Sequence, residues 1–397
     1  MAGVGDSSAL GVGAHTWHSD TATASAALPA GPAAAIFSLM ARRILHIDTG
    51  REWRGGQRQV FLLSSAQRER GSEPLVVAFP EAPLIRRLRT RGLAAAAVRA
   101  RGDWDLAAAR RVRALVRTWR ADLVHAHDAR AHAIALAALV GRPEVPLIVT
   151  RRVAFVPRGR MKYGRRVSRF IAISHAVRDA LVKGGVEPSR IDVVYSGVPS
   201  PRVGAPRDWV RECDWPAESV VCGVVGAMTA EKGIHLLDAI ASRLPDDARQ
   251  CVRLVLLGGA SAGATEIGGV AAYRAGFVDE VHAAMAGLHV LWHPATAEGL
   301  GTAVIDAMAL RVPPVAFRVG GLPELVVDHE TGLLVPPGDV AAFAQAAALL
   351  ACDRELRERL GAAGPARAAH FSVERMVDGT TRVYERVLRL TRRRVRR

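Results

Sequence analysis

Two carboxylates, Glu298 and Asp306, flank the run Gly299-Leu300-Gly301-Thr302 inside HPATAEGLGTAVIDAMAL (293–310), and an apolar helical pattern follows. The first amides of a helix have no acceptor within it. Gly299, Leu300, Gly301 and Thr302 therefore offer free N–H groups at the positive end of a helix dipole, which suits phosphate oxygens. The Thr302 hydroxyl adds a donor. Carboxylates would repel a phosphate that they touched, so the two acids fit as acceptors for hydroxyls on either side of it. Hydroxyl, phosphate, hydroxyl is the order of groups in a nucleotide sugar. Sugar hydroxyls then face Glu298, the diphosphate the amides, and ribose hydroxyls Asp306. A capped helix with incidental acids is the plain alternative.

Other stretches carry weaker signals. In GREWRGGQRQV, Gly55 and Gly56 follow a strand and open a helix, where backbone amides can approach an anion; the spacing is not GxGxxG. In VVGAMTAEKG, Lys232 stands at a helix entry, where a cation suits a phosphate or diphosphate and an ordinary surface lysine is equally at home. DLVHAHDARAH carries His125, His127 and His132. His125 and His127 share a strand face and form a possible metal pair, but no third ligand at a recognisable spacing accompanies them. His127 ends its strand, where side chains of parallel sheets reach a cleft. The glycine-rich LLGGASAGA (256–264) reads as a loop.

The elements that must position these residues are legible from Met40 onward. Short β-branched runs such as RRILHID, DLVHAH and PLIVT alternate with helical stretches, the signature of parallel sheets covered on both faces. A proline-rich break at about 200–219 interrupts the alternation, which then restarts at SVVCGVVG. The expected organisation is a tail over 1–40, a first α/β domain over 41–200, a linker over 201–218, a second α/β domain over 219–372 and a helix over 373–397 returning to the first domain. Two doubly wound, Rossmann-like domains then face a central cleft, where ligands bind at the carboxyl ends of the strands. The tail is Ala/Gly/Ser/Thr-rich without a positive start, so it reads as disordered rather than as a signal peptide. Translation starting at Met40 would open directly on a strand.

Charge is unevenly placed. Residues 41–200 hold 31 Lys+Arg against 13 Asp+Glu, while residues 201–397 balance at 23 and 23. A basic first half points to an anionic partner: a membrane surface, a phosphorylated substrate or nucleic acid. Its densest cluster is Arg158, Arg160, Lys162, Arg165, Arg166 and Arg169, read as a patch for anionic lipid or a phosphorylated acceptor, with a solvated face as the alternative. Nucleic-acid binding is disfavoured, because aromatics make up 5% of the chain and no recognition motif appears. The four cysteines are scattered without CxxC spacing, which fits reduced thiols in the cytoplasm. No apolar run is long enough to span a bilayer.

Taken in order, RGGQ, DLVHAH, IAISHAVRDALV with VVYSGV, GAMTAEKG and AEGLGTAVIDAMALRVPPVAFRVGGLPELVVDHETGLLVPPGD resemble the family 4 retaining glycosyltransferases of the GT-B fold over roughly residues 42–390. The resemblance implies transfer of a sugar from a nucleotide-diphosphate sugar with retention at the anomeric carbon, without metal or other cofactor. It assigns Gly55 and Gly56 to the diphosphate loop, His127 to the donor sugar beside the reaction centre, Lys232 to the diphosphate, Glu298 to sugar hydroxyls and Asp306 to the ribose. The last is one methylene shorter than the family's usual glutamate. Ala227 stands where many members carry a diphosphate-binding arginine, with Arg151, Arg152 or Arg318 as candidate replacements. The expected acceptor is a surface glycan, a lipid carrier or a polyol, in glycan biosynthesis at the cell envelope. The expected location is the cytoplasm, with peripheral contact to anionic membrane. The alternatives are a GT-B-like nucleotide-sugar epimerase, a catalytically dead glycan-binding relative and a basic nucleic-acid-binding protein.

Overall fold

A computed structural model describes residues 42–157, 162–201 and 204–395. The expected tail therefore lies outside the described residues. The first sheet contains β1 (Arg43–Ile47), β2 (Glu73–Ala78), β3 (Ala94–Ala97), β4 (Leu123–Ala126), β5 (Leu147–Arg151), β6 (Val167–Ala172) and β7 (Ile191–Val193). Its order is β3-β2-β1-β4-β5-β6-β7, with every pair parallel. Strands β8 (Val220–Val225), β9 (Val252–Leu257), β10 (Ala262–Ile267), β11 (Val270–Gly276), β12 (Val290–His293), β13 (Pro314–Phe317) and β14 (Leu333–Val335) form the second. Its order is β10-β11-β9-β8-β12-β13-β14, parallel except for the β10–β11 hairpin. Each sheet is wound outward in both directions from its first strand. The crevices lie where that order reverses, beside β1/β4 and β8/β12.

The structure departs from the sequence reading in several places. β3 is four alanines, residues of low strand propensity, and is a strand because its backbone pairs with β2. LLGGASAGA is a loop only in its middle; its last residues open β10. KGIHLLDAIASRL is not one helix. Gly233 adopts φ 73°, and two 3₁₀ turns precede a short helix over Leu237–Ala241. Helices Asp246–Cys251, Val281–Ala286 and Arg354–Ala368 had no counterpart in the reading. The proline-rich break contains a helical turn, Trp209–Glu212. Trp209 is fully buried and its Nε1 donates to the Ala284 carbonyl at 2.8 Å.

Alternate residues of the first sheet divide between two cores. Leu45, Val124 and Leu147 face one side, and Ile44, Leu123, Ile148 and Ile171 the other. The second face is covered by the first helix (Gly55–Glu69) and by the C-terminal helix (Val373–Val395), through Val373, Met376, Val377, Val383, Tyr384 and Val387. Each large apolar side chain buried there contributes about 1.5–3 kcal/mol. The chain crosses between sheets at two points that lie side by side. Val198 N donates to Phe371 O at 2.9 Å, and Val373 N to Val198 O at 3.2 Å.

Candidate active site

The Gly299–Thr302 turn is pressed against the first lobe. Ser174 caps the His175–Lys183 helix, accepting from Val177 N at 3.1 Å, and its hydroxyl donates to Gly299 O at 2.7 Å. A Cβ on Gly299 would meet the Arg152 carbonyl oxygen at 2.0 Å. Gly301 is the N-cap of the Thr302–Ala309 helix and takes φ 104°, a left-handed conformation that glycine adopts without strain. The Leu300 side chain is buried in the core, so only its backbone can serve a ligand. Thr302 opens the helix. Its hydroxyl lies 3.5 Å from the place of a Cβ on Gly55, so the two glycine-bearing helix starts face each other across the cleft.

Glu298 is partly buried beside Lys232, with which it forms an ion pair, and His293, whose Nε2 lies 3.1 Å from its Oε2. Its Oε1 accepts from Gly299 N at 3.1 Å. Burial alone would raise this carboxyl. The His293 hydrogen bond and the Lys232 charge outweigh it and bring the group down to about 2, so Glu298 is an anion at neutral pH.

Asp306 is buried, but its oxygens are taken. Arg58 of the first helix grips both, Nη2 reaching Oδ1 at 3.1 Å, and His282 Nε2 lies 3.1 Å from Oδ1. Burial pushes its carboxyl up; His282 and Arg58 more than reverse that and hold it below the usual range.

His127 sits at the end of β4, almost fully buried, and joins a cluster that the sequence reading missed. That reading found no third partner for His125 and His127. The structure supplies His46, opposite His125 in the β1–β4 register. One nitrogen from each ring lies within 4.8 Å of the others. All six ring nitrogens are nevertheless engaged. His46 Nδ1 meets His127 Nε2 at 2.9 Å and His46 Nε2 meets Gln67 Oε1 at 2.8 Å. His125 Nδ1 meets Tyr384 OH at 2.6 Å and its Nε2 meets Thr150 Oγ1 at 2.7 Å. His127 Nδ1 faces Arg152 Nη2 at 3.3 Å. Burial lowers all three imidazoles, His46 to about 4, so the cluster is neutral.

Of the four described members of the basic cluster, three are already engaged. Arg158 and Arg160 lie outside the described residues. Arg166 is turned inward: its Nη2 donates to the carbonyls of Leu139, Arg142 and Val145, in the turn that follows the Ala129–Ala138 helix. Lys162 pairs with Asp103, and Arg169 with Asp192. Arg165 alone of the described members is exposed and forms no hydrogen bond or ion pair with another described residue. Of the candidate replacements at Ala227, Arg151 is bonded to Tyr163 OH at 2.8 Å and Phe155 O at 3.0 Å. Arg318 pairs with Asp328. Of the three, Arg152 alone bonds to no oxygen; its hydrogen bond is to His127 Nδ1.

Comparison with known proteins decides the family. The family described as "Glycosyl transferases group 1" matches residues 219–353, and "Glycosyltransferase Family 4" matches residues 53–202. The chain belongs to the family 4 glycosyltransferases. A 2-deoxystreptamine N-acetyl-D-glucosaminyltransferase of Streptomyces fradiae is 31% identical to this glycosyltransferase over 78% of the chain and 85% of the relative. A D-inositol 3-phosphate glycosyltransferase of Corynebacterium diphtheriae is 32% identical, but over only 43% of each chain. Among solved structures, Anabaena HepE in complex with UDP-glucose superposes with a TM-score of 0.75 at 21% identity, covering 86% of this chain and 99% of that one. Sucrose-phosphate synthase from Thermosynechococcus elongatus superposes with a TM-score of 0.72 at 19% identity over 88% and 100% of the chains. These likenesses establish the GT-B fold. Among the described residues of this glycosyltransferase, no helix is long and apolar enough to cross a membrane.

Proposed function

We propose that this glycosyltransferase moves a sugar from a nucleoside diphosphate to a hydroxyl of a small polyhydroxylated acceptor, with retention at the anomeric carbon. The observation that carries the reading is Glu298, anionic and partly buried at the mouth of the Thr302–Ala309 helix, whose Thr302 faces the Gly55–Gly56 turn. Glu298 accepts hydrogen bonds from sugar hydroxyls. Lys232 and the amides of Leu300, Gly301 and Thr302 hold the diphosphate, with Gly55 and Gly56 closing on it from the other lobe. Asp306 serves the ribose once it shares its oxygens with Arg58.

No enzymic nucleophile is needed. The acceptor oxygen bonds to the anomeric carbon on the face that the phosphate leaves, the bond from that carbon to phosphate oxygen breaks, and the acceptor proton passes to the departing phosphate. The protein's share is electrostatic stabilisation of the leaving group and positioning by lobe closure. No metal has a role in this scheme, because Lys232 and the helix dipole supply the positive field. The relatives named for 2-deoxystreptamine and D-inositol 3-phosphate favour a ring polyol over a long glycan. Work in the cytoplasm, in contact with anionic membrane through the basic first lobe, completes the reading. The deciding test is a thermal-shift and hydrolysis screen against UDP-, GDP- and ADP-sugars. One nucleotide sugar should stabilise the wild type and fail to stabilise Glu298→Ala, and the transfer product should keep the donor's anomeric configuration by NMR. Stabilisation by none of them would sink the proposal.

A further inference from the structure

Ala227 supplies no cation to the diphosphate site, Lys232 of the same lobe is paired with Glu298, and the first lobe holds an arginine with little to do. Arg152 forms no ion pair among the described residues. Its hydrogen bond is to a neutral partner, His127 Nδ1, at 3.3 Å, and its Nε is buried with no partner. Its place is between the two glycine turns. Cδ and Nε lie 3.7 and 4.0 Å from the position of a Cβ on Gly56, and its carbonyl abuts Gly299. The acids whose charges act on it, Asp48 and Asp128, form no ion pair with it and bond other groups. Asp48 Oδ1 accepts from Gly50 N and Gln57 Nε2, both at 2.9 Å. Asp128 accepts from Thr49, Arg130 and Ala131 as the cap of the next helix.

Arginine is a donor only, and this fixes the histidine cluster. His127 Nδ1 must carry a lone pair toward Arg152, so His127 carries its proton on Nε2 and gives it to His46 Nδ1. His46 then donates from Nε2 to Gln67 Oε1. The Gln67 amide turns its NH₂ to Tyr384 OH at 3.4 Å. The buried Tyr384 hydroxyl donates to His125 Nδ1, and His125 Nε2 to Thr150. Every bond points one way, from the cleft to the C-terminal helix and back into the sheet. Neither nitrogen of His127 is left for a sugar. What it offers instead is an acceptor that aims Arg152.

We propose that Arg152 binds the phosphate oxygens of the nucleoside diphosphate, in place of the cation absent at Ala227, and that His127 is its positioning residue, held as a neutral acceptor by the chain through His46, Gln67 and Tyr384. This rests on the nucleotide-sugar reading above. The rival reading makes Arg152 a structural counter-ion for Asp48 and Asp128.

The test is calorimetric titration of the full-length protein with UDP, GDP and ADP, and with the matching nucleosides. The wild type should bind one diphosphate well and its nucleoside weakly. Arg152→Gln should lose about tenfold or more in diphosphate affinity while nucleoside affinity stays unchanged, since a charge-assisted bond to phosphate is lost. Arg152→Lys should recover part of it. His127→Leu, which removes the acceptor, should weaken the diphosphate as Arg152→Gln does; His127→Gln, which keeps an acceptor oxygen, should restore it. Unchanged nucleoside affinity shows in each variant that the fold and the nucleoside site are intact. Wild-type diphosphate affinity in Arg152→Gln would leave the counter-ion reading standing. Wild-type affinity in His127→Leu would remove the positioning role. If the wild type binds none of the three diphosphates, the donor reading itself fails and takes this proposal with it.

Discussion

Arg58 and Asp306 join the two lobes. The guanidinium projects from the first helix of one lobe and bonds both oxygens of a carboxylate in the Thr302–Ala309 helix of the other. The side chain of Asp306 is only 5% exposed. Removing Arg58 leaves that charge buried with His282 alone. Arg58→Ala should therefore cost about 2–4 kcal/mol in chemical denaturation, while Arg58→Met with Asp306→Leu should regain most of it. A loss in the double variant equal to the sum of the two single losses would show that the pair is not coupled.

Gly299 separates closure from stability. A Cβ there collides with Arg152 O of the opposite lobe, and the lobes can part to relieve it. Gly299→Ala should lower kcat/KM by about a hundredfold, since misplacing the reacting groups by an ångström has that effect. Its melting temperature should fall only slightly. Small-angle scattering should register a larger radius of gyration than in wild type. A variant as compact and active as wild type would contradict the tight seam.

The histidine cluster sets an acid limit. His46 is brought down to about 4, and His125 and His127 well below 6.5, by burial first of all. All three are neutral when folded, and each takes up a proton on unfolding below its ordinary value. Their stabilisation is thus complete above about pH 6.5 and is lost as pH falls toward 4. Three such groups give a slope of up to about 4 kcal/mol per pH unit. Glu298 and Asp306, held below the ordinary carboxyl range, add a loss only in more acid solution. Urea midpoints at pH 7.5, 6 and 5 should drop steeply; a flat profile would mean that the cluster is hydrated or charged.

Glu324 clasps the first lobe from the second. Its carboxylate accepts from His175 N at 2.8 Å, Ala176 N at 3.0 Å and Tyr195 OH at 2.9 Å. Glu324→Gln turns an NH₂ toward donors and should cost about 1–3 kcal/mol. Tyr195, pushed up to about 12 by burial and by Glu324, should then ionise at a lower pH, which alkaline absorbance titration can follow.

The alternation of strands and helices was readable because parallel strands buried on both faces must be continuously apolar, as in VVCGVV and LIVTR. β3 was not, because four alanines carry no strand signal and pair only in three dimensions. At the site, Gly55, Gly56, Lys232, Glu298 and Thr302 could be picked out because glycine turns and charges at helix starts are local patterns. Arg58, His282, His46 and Tyr384 could not. Each meets its partner from another element, up to 317 residues away for Gln67 and Tyr384. The basic cluster shows the same limit: a one-dimensional run of cations does not show which of them, like Arg166, are bonded to a neighbouring turn.

The return of the C-terminal helix to the first sheet has a consequence for biosynthesis. Ile44, Leu123, Ile148 and Ile171 are made early, yet the side chains that cover them, Val377, Tyr384 and Val387 among them, leave the ribosome only after the whole second sheet. The first lobe must wait with one apolar face bare until the second has been synthesised. A chain truncated before Val373 would keep every residue of the second sheet and still leave the first lobe open to aggregation.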